Sequence, residues 1–168
     1  MEQTLIIFKP DAVQRGIVGE LITRFERAGF KIIAIKMLAP DYDHYAEHYE
    51  GIGTLKTRKG EEIFESTLAG MQDGPVIALV LEGVAAVETV RKMIGETEPR
   101  SALPGTIRGD YAHMSYGQAT ATGKGIPNII HASADLAEAK KEIAHWFSKD
   151  ELQTYQAVHE KFTQPKKR

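Results

Sequence analysis

The sequence predicts an α/β chain organised around one core, in which strands and helices alternate. Three observations predict it. Apolar runs of strand length recur, at Thr4 to Phe8 and at Pro75 to Leu81 (PVIALVL), and such runs bounded by turn signals read as strands. Apolar residues also fall at helical spacing and end on glycine, as in Ile17, Leu21, Ile22 and Phe25 before Gly29, and Val87, Val90, Met93 and Ile94 before Gly95. A chain of 168 residues, 42% hydrophobic and 26% charged, suffices for one buried core and not for two ordinary domains, so residues 1–168 read as a single domain.

Thr4 to Phe8 is the first strand. Lys9-Pro10-Asp11 follows as a turn, because proline disfavours helix at the residue before it while permitting one to start nearby. A helix is expected over about Ile17 to Ala28 with its apolar stripe against a sheet, then a second strand over Lys31 to Leu38, ended by Pro40. Asp43 to Tyr49 reads as a short helix, Gly51 to Gly60 as a basic loop, and the next segment as a helix built on Phe64, Leu68 and Met71. Pro75 to Leu81 is continuously apolar, as expected of a central strand, and the helix closed by Gly95 follows. From Glu96 to Pro127 periodicity fades and prolines and glycines accumulate, which marks a long loop region of the kind that is functional in compact domains. Asn128-Ile129-Ile130 is the next strand candidate, and Leu136, Ala139, Ile143 and Phe147 trace a helix after Ser133, so His131 is expected at a strand-to-helix junction. Ser148 with Glu151 forms a capping-box pattern, expected to open a last helix carrying Leu152, Tyr155 and Phe162. The QPKKR end is expected to fray from about residue 163.

Composition narrows the function. A net charge of -2, from 21 basic and 23 acidic residues, offers no broad attraction to nucleic acid or an acidic membrane surface. The start MEQTLIIFKP is neither a signal peptide nor a spanning helix, which makes the cytoplasm the expected location. With no cysteine, thiolate catalysis and thiolate metal sites are excluded.

No G-x-x-x-x-G-K-[ST] loop and no G-x-G-x-x-G between strand and helix is present, so any phosphate must be held by side chains. Lys9, Arg91 and Arg108 sit near the ends of regular elements, with Thr97 between the arginines. Arginine grips phosphate oxygens through parallel hydrogen bonds, and lysine supplies a point charge. Taken singly, each is ordinary solvated surface. His131 stands out because flanking elements would fix its direction, and a neutral imidazole is a nucleophile toward phosphorus. Glu142, four residues before Trp146 on an amphipathic helix, belongs at the edge of burial, where its carboxylate would orient that imidazole. His44 and His48 share the i, i+4 spacing of a metal clamp, but no third ligand is evident and a surface pair is the better reading. Tyr49 offers a phenol within reach of a phosphate or a base. The Lys56-Thr57-Arg58-Lys59 cluster is short and lacks interleaved aromatics, which suits a solvated loop.

Seven stretches, FKPDAVQRGIVGE, EHY, GPVIALVLEG, GETEP, PGTIRGD, NIIHAS and KEIAHWF, occur in that order along nearly the whole chain, and with them the sequence resembles the nucleoside diphosphate kinases. The resemblance implies a ferredoxin-like α/β (α+β) sandwich, a four-stranded antiparallel sheet covered by helices, assembled as a homo-oligomer, either hexamer or tetramer. It implies a ping-pong exchange with broad base tolerance, in which a nucleoside triphosphate phosphorylates the histidine and a nucleoside diphosphate then takes the phosphate. Mg²⁺ would be bound mainly through the nucleotide phosphates. By motif, Lys9 would touch the terminal phosphate and the ribose, and Tyr49 would lie near that phosphate. Arg91, Thr97 and Arg108 would hold the phosphates, and Asn128 would bond the sugar 3′-hydroxyl. His131 would be the nucleophile, positioned by Ser133 and Glu142.

The chain departs from the family pattern at three places. Ala134 stands where the family has Asp. Extra residues near 51–60 leave Ile63 or Phe64 at the position of the base-stacking aromatic, and further residues near 117–126 enlarge the loop used for subunit contacts. The alternative is a non-catalytic nucleotide-binding regulatory module of the same fold. A positioned nucleophile among Lys9, Arg91, Arg108, Asn128 and Glu142 argues against it. A ferredoxin-like RNA-binding domain is disfavoured by the charge balance and the lack of paired aromatics on a strand.

Overall fold

The first strand, β1 (Glu2–Phe8), runs into α1 (Pro10–Gln14) and α2 (Val18–Arg27), and the chain returns through β2 (Lys31–Leu38). An excursion through α3 (Tyr42–Ala46), α4 (Leu55–Lys59) and α5 (Glu61–Met71) leads to β3 (Val76–Gly83) and α6 (Ala86–Ile94). Two short helices, α7 (Ile107–Tyr111) and α8 (Tyr116–Thr122), precede β4 (Ile130–Ala132), α9 (Leu136–Trp146) and α10 (Glu160–Thr163). This computed structural model describes residues 1–163; the QPKKR end, expected to fray, lies outside the described residues.

The four strands form one sheet in the order β2-β3-β1-β4, antiparallel throughout, which is the arrangement the resemblance implies. The central strands are apolar on both faces because each face is covered. Along β1, Ile6 and Phe8 enter one apolar cluster with Leu21 and Phe25 of α2 and Val90 and Ile94 of α6. Leu5 and Ile7 enter the other with Leu68 and Met71 of α5 and Ile143 and Trp146 of α9. Each fully buried Leu, Ile or Phe contributes about 1.5–3 kcal/mol relative to exposure, so β1 at the centre anchors both layers. β2 lies at the sheet edge and leaves Ile35 and Met37 exposed.

Several sequence expectations need correction. The basic stretch before α5 is not all loop: Leu55–Lys59 forms α4, and Glu47–Ile52 forms a wider turn continuing from α3. The long irregular region 96–127 contains α7 and α8, capped by Thr106 and Ser115. The capping box at Ser148 and Glu151 is formed, but it opens only a 3-10 turn. The chain then extends because Gln153 N–H donates to the Ile33 carbonyl at 2.8 Å and the Tyr155 hydroxyl to the Ile32 carbonyl at 2.8 Å, so contacts with β2 override the local signal.

Candidate active site

The site is organised by a single turn of backbone. Ile129 has φ 72, and the N–H of Ile130 donates back to the carbonyl of Asn128 at 2.8 Å, which makes residues 128–130 a γ-turn with a positive central φ. A β-branched residue in that region is strained, at a cost on the order of 1–3 kcal/mol, and persists only where its surroundings over-determine it. Here they do. The Ile129 side chain is buried, its carbonyl accepts the Lys9 N–H at 2.8 Å, and its own N–H donates to Asp11 Oδ2 at 3.0 Å.

Around this turn four of the expected residues join in one hydrogen-bonded group. Lys9 Nζ donates to Asn128 Oδ1 at 2.7 Å, and Asn128 Nδ2 donates to the Thr97 carbonyl at 2.9 Å. Buried Arg108 donates from Nε to the Asn128 carbonyl at 3.2 Å, from Nη1 to the Gly95 carbonyl at 2.9 Å and from Nη2 to the Ile130 carbonyl at 2.6 Å. Guanidinium carries five N–H bonds, so some remain for a ligand. Burial, followed by the neighbouring Arg91 charge, lowers the Arg108 pKa to about 10. Burial and the Arg108 charge lower that of Lys9 to about 8, with Asp11 opposing the change. Cations that suppress one another's charge form a site that gains most from an incoming anion.

His131 is not after a strand but within one: it pairs with Ile7 across β1 and β4. Its Nε2 lies 2.7 Å from Glu142 Oε1, and its side chain keeps 18% exposure while Glu142 has none. The Ser133 hydroxyl donates to Glu142 Oε2 at 2.5 Å and accepts the Leu5 N–H at 3.1 Å. A carboxylate only accepts, so the ring proton belongs on Nε2 and Nδ1 is left with its lone pair. The helix carrying Glu142 starts one residue beyond the departure at Ala134, because Asp135 caps it by accepting the N–H groups of Ala137 and Glu138 at 2.8 Å.

Tyr49 and His48 flank His131. Their rings lie 6.2 and 4.6 Å from that of His131, and burial together with Tyr45 and Glu142 pushes the Tyr49 phenol well above its usual range. The i, i+4 spacing predicts His48 as a surface partner of His44. Instead it is buried, accepts the Trp146 indole N–H at Nδ1 over 3.1 Å, and sits near enough to His131 and Glu142 for the three to resemble a metal-ligand group. Glu142 and His48 Nδ1 already hold hydrogen bonds, from His131 and Ser133 and from Trp146, while the buried His48 Nε2 has no hydrogen-bond partner among the described residues. For Asp11 the sequence offered only its place in the FKPDAVQRGIVGE stretch, and for His48 only the EHY motif. Phe64 is packed in the core, which leaves Ile63 as the exposed member of that pair. A cleft of about 970 Å³ runs past Arg91 and Thr97, and neither His131 nor Lys9 lines it.

A family model described as nucleoside diphosphate kinase matches residues 2–152. The nucleoside diphosphate kinase of Borreliella burgdorferi is 42% identical over 92% of each chain, and that of Pyrococcus furiosus is 42% identical over 99% of this chain and 96% of its own. Among solved structures, a transition-state mimic of the Borrelia burgdorferi enzyme with bound vanadate and ADP superposes with a TM-score of 0.91 at 42% identity, over 95% of this chain and 94% of that one.

Proposed function

The chain belongs to the nucleoside diphosphate kinase family, and from that premise we propose how its residues move phosphate between nucleotides. The enzyme transfers the terminal phosphate of a nucleoside triphosphate to a nucleoside diphosphate. The Nδ1 lone pair of His131 attacks the terminal phosphorus, the bond to the bridging oxygen breaks, and the diphosphate leaves with that oxygen. A second diphosphate then attacks the phosphohistidine, the P–N bond breaks, and Nδ1 regains its lone pair. Throughout, Glu142 accepts a hydrogen bond from the Nε2–H and stabilises the charge that develops on the ring, while Ser133 holds Glu142 in line.

Phosphoryl transfer asks the protein mainly for alignment and charge stabilisation. Lys9, Arg91 and Arg108 address the phosphates with Thr97, Asn128 addresses the sugar hydroxyl, and Tyr49 borders the terminal phosphate. Groups that read phosphate and sugar, rather than base edges, suit broad base tolerance. The converging side chains are cationic and offer Mg²⁺ no ligand set of their own, so the ion would be held by the nucleotide and would supply charge neutralisation, while Lys9, Arg91 and Arg108 hold the phosphates. A homo-oligomer is supported by Ile35 and Met37, which β2 leaves exposed beyond the stretch that Gln153 and Tyr155 cover. Among the described residues no helix is long and apolar enough to cross a membrane, and a cytoplasmic setting is proposed.

The observation that carries this reading is the relay from the Leu5 N–H through Ser133 and Glu142 to His131. A binding module has no use for an imidazole held in one tautomer. Incubation with terminally labelled ATP and Mg²⁺ is expected to yield an acid-labile phosphoprotein that CDP or GDP discharges, and His131→Ala is expected to take up no label. Label on the His131→Ala protein would refute the assignment.

A further inference from the structure

We propose that Asp11 is a positioning residue for this transfer: by accepting the Ile129 N–H it locks the strained turn that sets Asn128 and His131. The proposal rests on the reaction inferred above, but its geometry stands apart from it. Segment 9–11 makes three bonds to segment 128–129: Lys9 Nζ to Asn128 Oδ1, Lys9 N–H to the Ile129 carbonyl, and Ile129 N–H to Asp11 Oδ2, at 2.7, 2.8 and 3.0 Å. The first fixes a side chain and the second half of a peptide. Only the third holds the N–H of the residue whose φ is positive.

An acidic residue in the first turn of a short helix commonly does no more than favour the helix terminus. Asp11 does more, because its partner lies 118 positions away in sequence, in the turn that leads into the nucleophile's strand. Ile129 is fully buried, so without the carboxylate its N–H loses its partner where water has little access. The turn then has reason to relax toward negative φ, rotating the Asn128 peptide that Arg108 grips and the strand start that aims His131. The carboxylate also lies close enough to favour the charged form of Lys9, so the test has to separate hydrogen bonding from charge.

Asp11→Asn keeps an acceptor oxygen and removes the charge; Asp11→Ala removes both. In single-turnover phosphorylation by ATP and Mg²⁺ at pH 7, Asp11→Ala is expected to be slower by about 100-fold, as displacement of a reacting group by about an ångström produces. ADP affinity is expected to change far less, and Asp11→Asn to restore most of the rate. The Ile129 amide should exchange slowly with solvent deuterium in the unaltered protein and in Asp11→Asn, and fast in Asp11→Ala. An Asp11→Ala rate equal to the parent's, an Asp11→Asn protein as slow as Asp11→Ala, or an amide indifferent to the substitution would overturn the proposal. Should Asp11→Ala not fold, Asp11→Glu is read in its place: its displaced carboxylate is expected to give a slow enzyme, and the parent rate would overturn the idea. If the parent itself takes up no label, the reaction assignment has failed, and the amide exchange still decides the role of Asp11.

Discussion

Glu142 accepts two hydrogen bonds in a fully buried position, one from His131 and one from Ser133. Glu142→Gln keeps an oxygen for the imidazole but presents an amide to the serine and removes the countercharge for a developing imidazolium. Phosphorylation of His131 is expected to slow by about 10- to 100-fold, the range seen when the hydrogen-bond partners of metal-ligating histidines are lost. Glu142→Ala is expected to be slower still and to lose stability as well, because it strands the Ser133 hydroxyl and the ring N–H, each costing about 1–3 kcal/mol when unsatisfied. Rapid-quench kinetics alongside urea unfolding separate the two effects. A Glu142→Ala enzyme with the parent's transfer rate would remove the relay from the mechanism.

Where α6 ends, one glycine connects helix geometry to Arg108, the arginine proposed to hold phosphate. Gly95 has φ 81, and a Cβ there would meet Thr106 Oγ1 at 2.5 Å, while its carbonyl anchors Arg108 at 2.9 Å. Gly29, with φ 87, closes α2 in the same way but faces only His159 at 4.0 Å. Gly29→Ala is therefore expected to cost about 1 kcal/mol through backbone strain alone. Gly95→Ala is expected to cost more and to weaken ADP binding by displacing Arg108, as equilibrium unfolding and nucleotide titration will register; equal behaviour of the two variants would rule out the coupling. Both glycines were legible in the sequence because each follows a periodic apolar stripe, and so were β2, the helix body of α2 and the continuous core run of β3. The γ-turn was not, since a three-residue strand preceded by a buried isoleucine at positive φ carries no periodic signal. The segment after Ser148 misled for a different reason: its cap is real, but hydrogen bonds to β2 outweigh the helix it would have started. At the site, the motifs marked which segments would meet, whereas the partners of Asp11 and His48 within those motifs are set only when segments distant in sequence come together.

Across the whole molecule, histidines on α3 and its continuation are packed in the layer between α3 and α9, and this ties stability to pH. His44 stacks on His145 with ring centroids 4.0 Å apart, and burial followed by the His145 charge lowers its pKa to about 4. Burial, with further contributions from His131 and His145, holds His48 well below its usual value. For each, the folded pKa lies below the unfolded one near 6.5. Between those limits the unfolded chain binds more protons than the folded one, so stability falls as pH falls, by at most about 1.4 kcal/mol per pH unit for each group. Above pH 6.5 both states hold these rings neutral and the dependence from them vanishes. Urea unfolding at fixed protein concentration is expected to show a midpoint that declines from pH 6.5 to pH 5. His44→Phe, which keeps an aromatic ring against His145 and Trp146 but cannot be protonated, is expected to decline less steeply. A midpoint that stays level or rises on acidification would mean that these rings accept protons freely in the folded state, and that the layer behind His131 is more open to water than its packing implies.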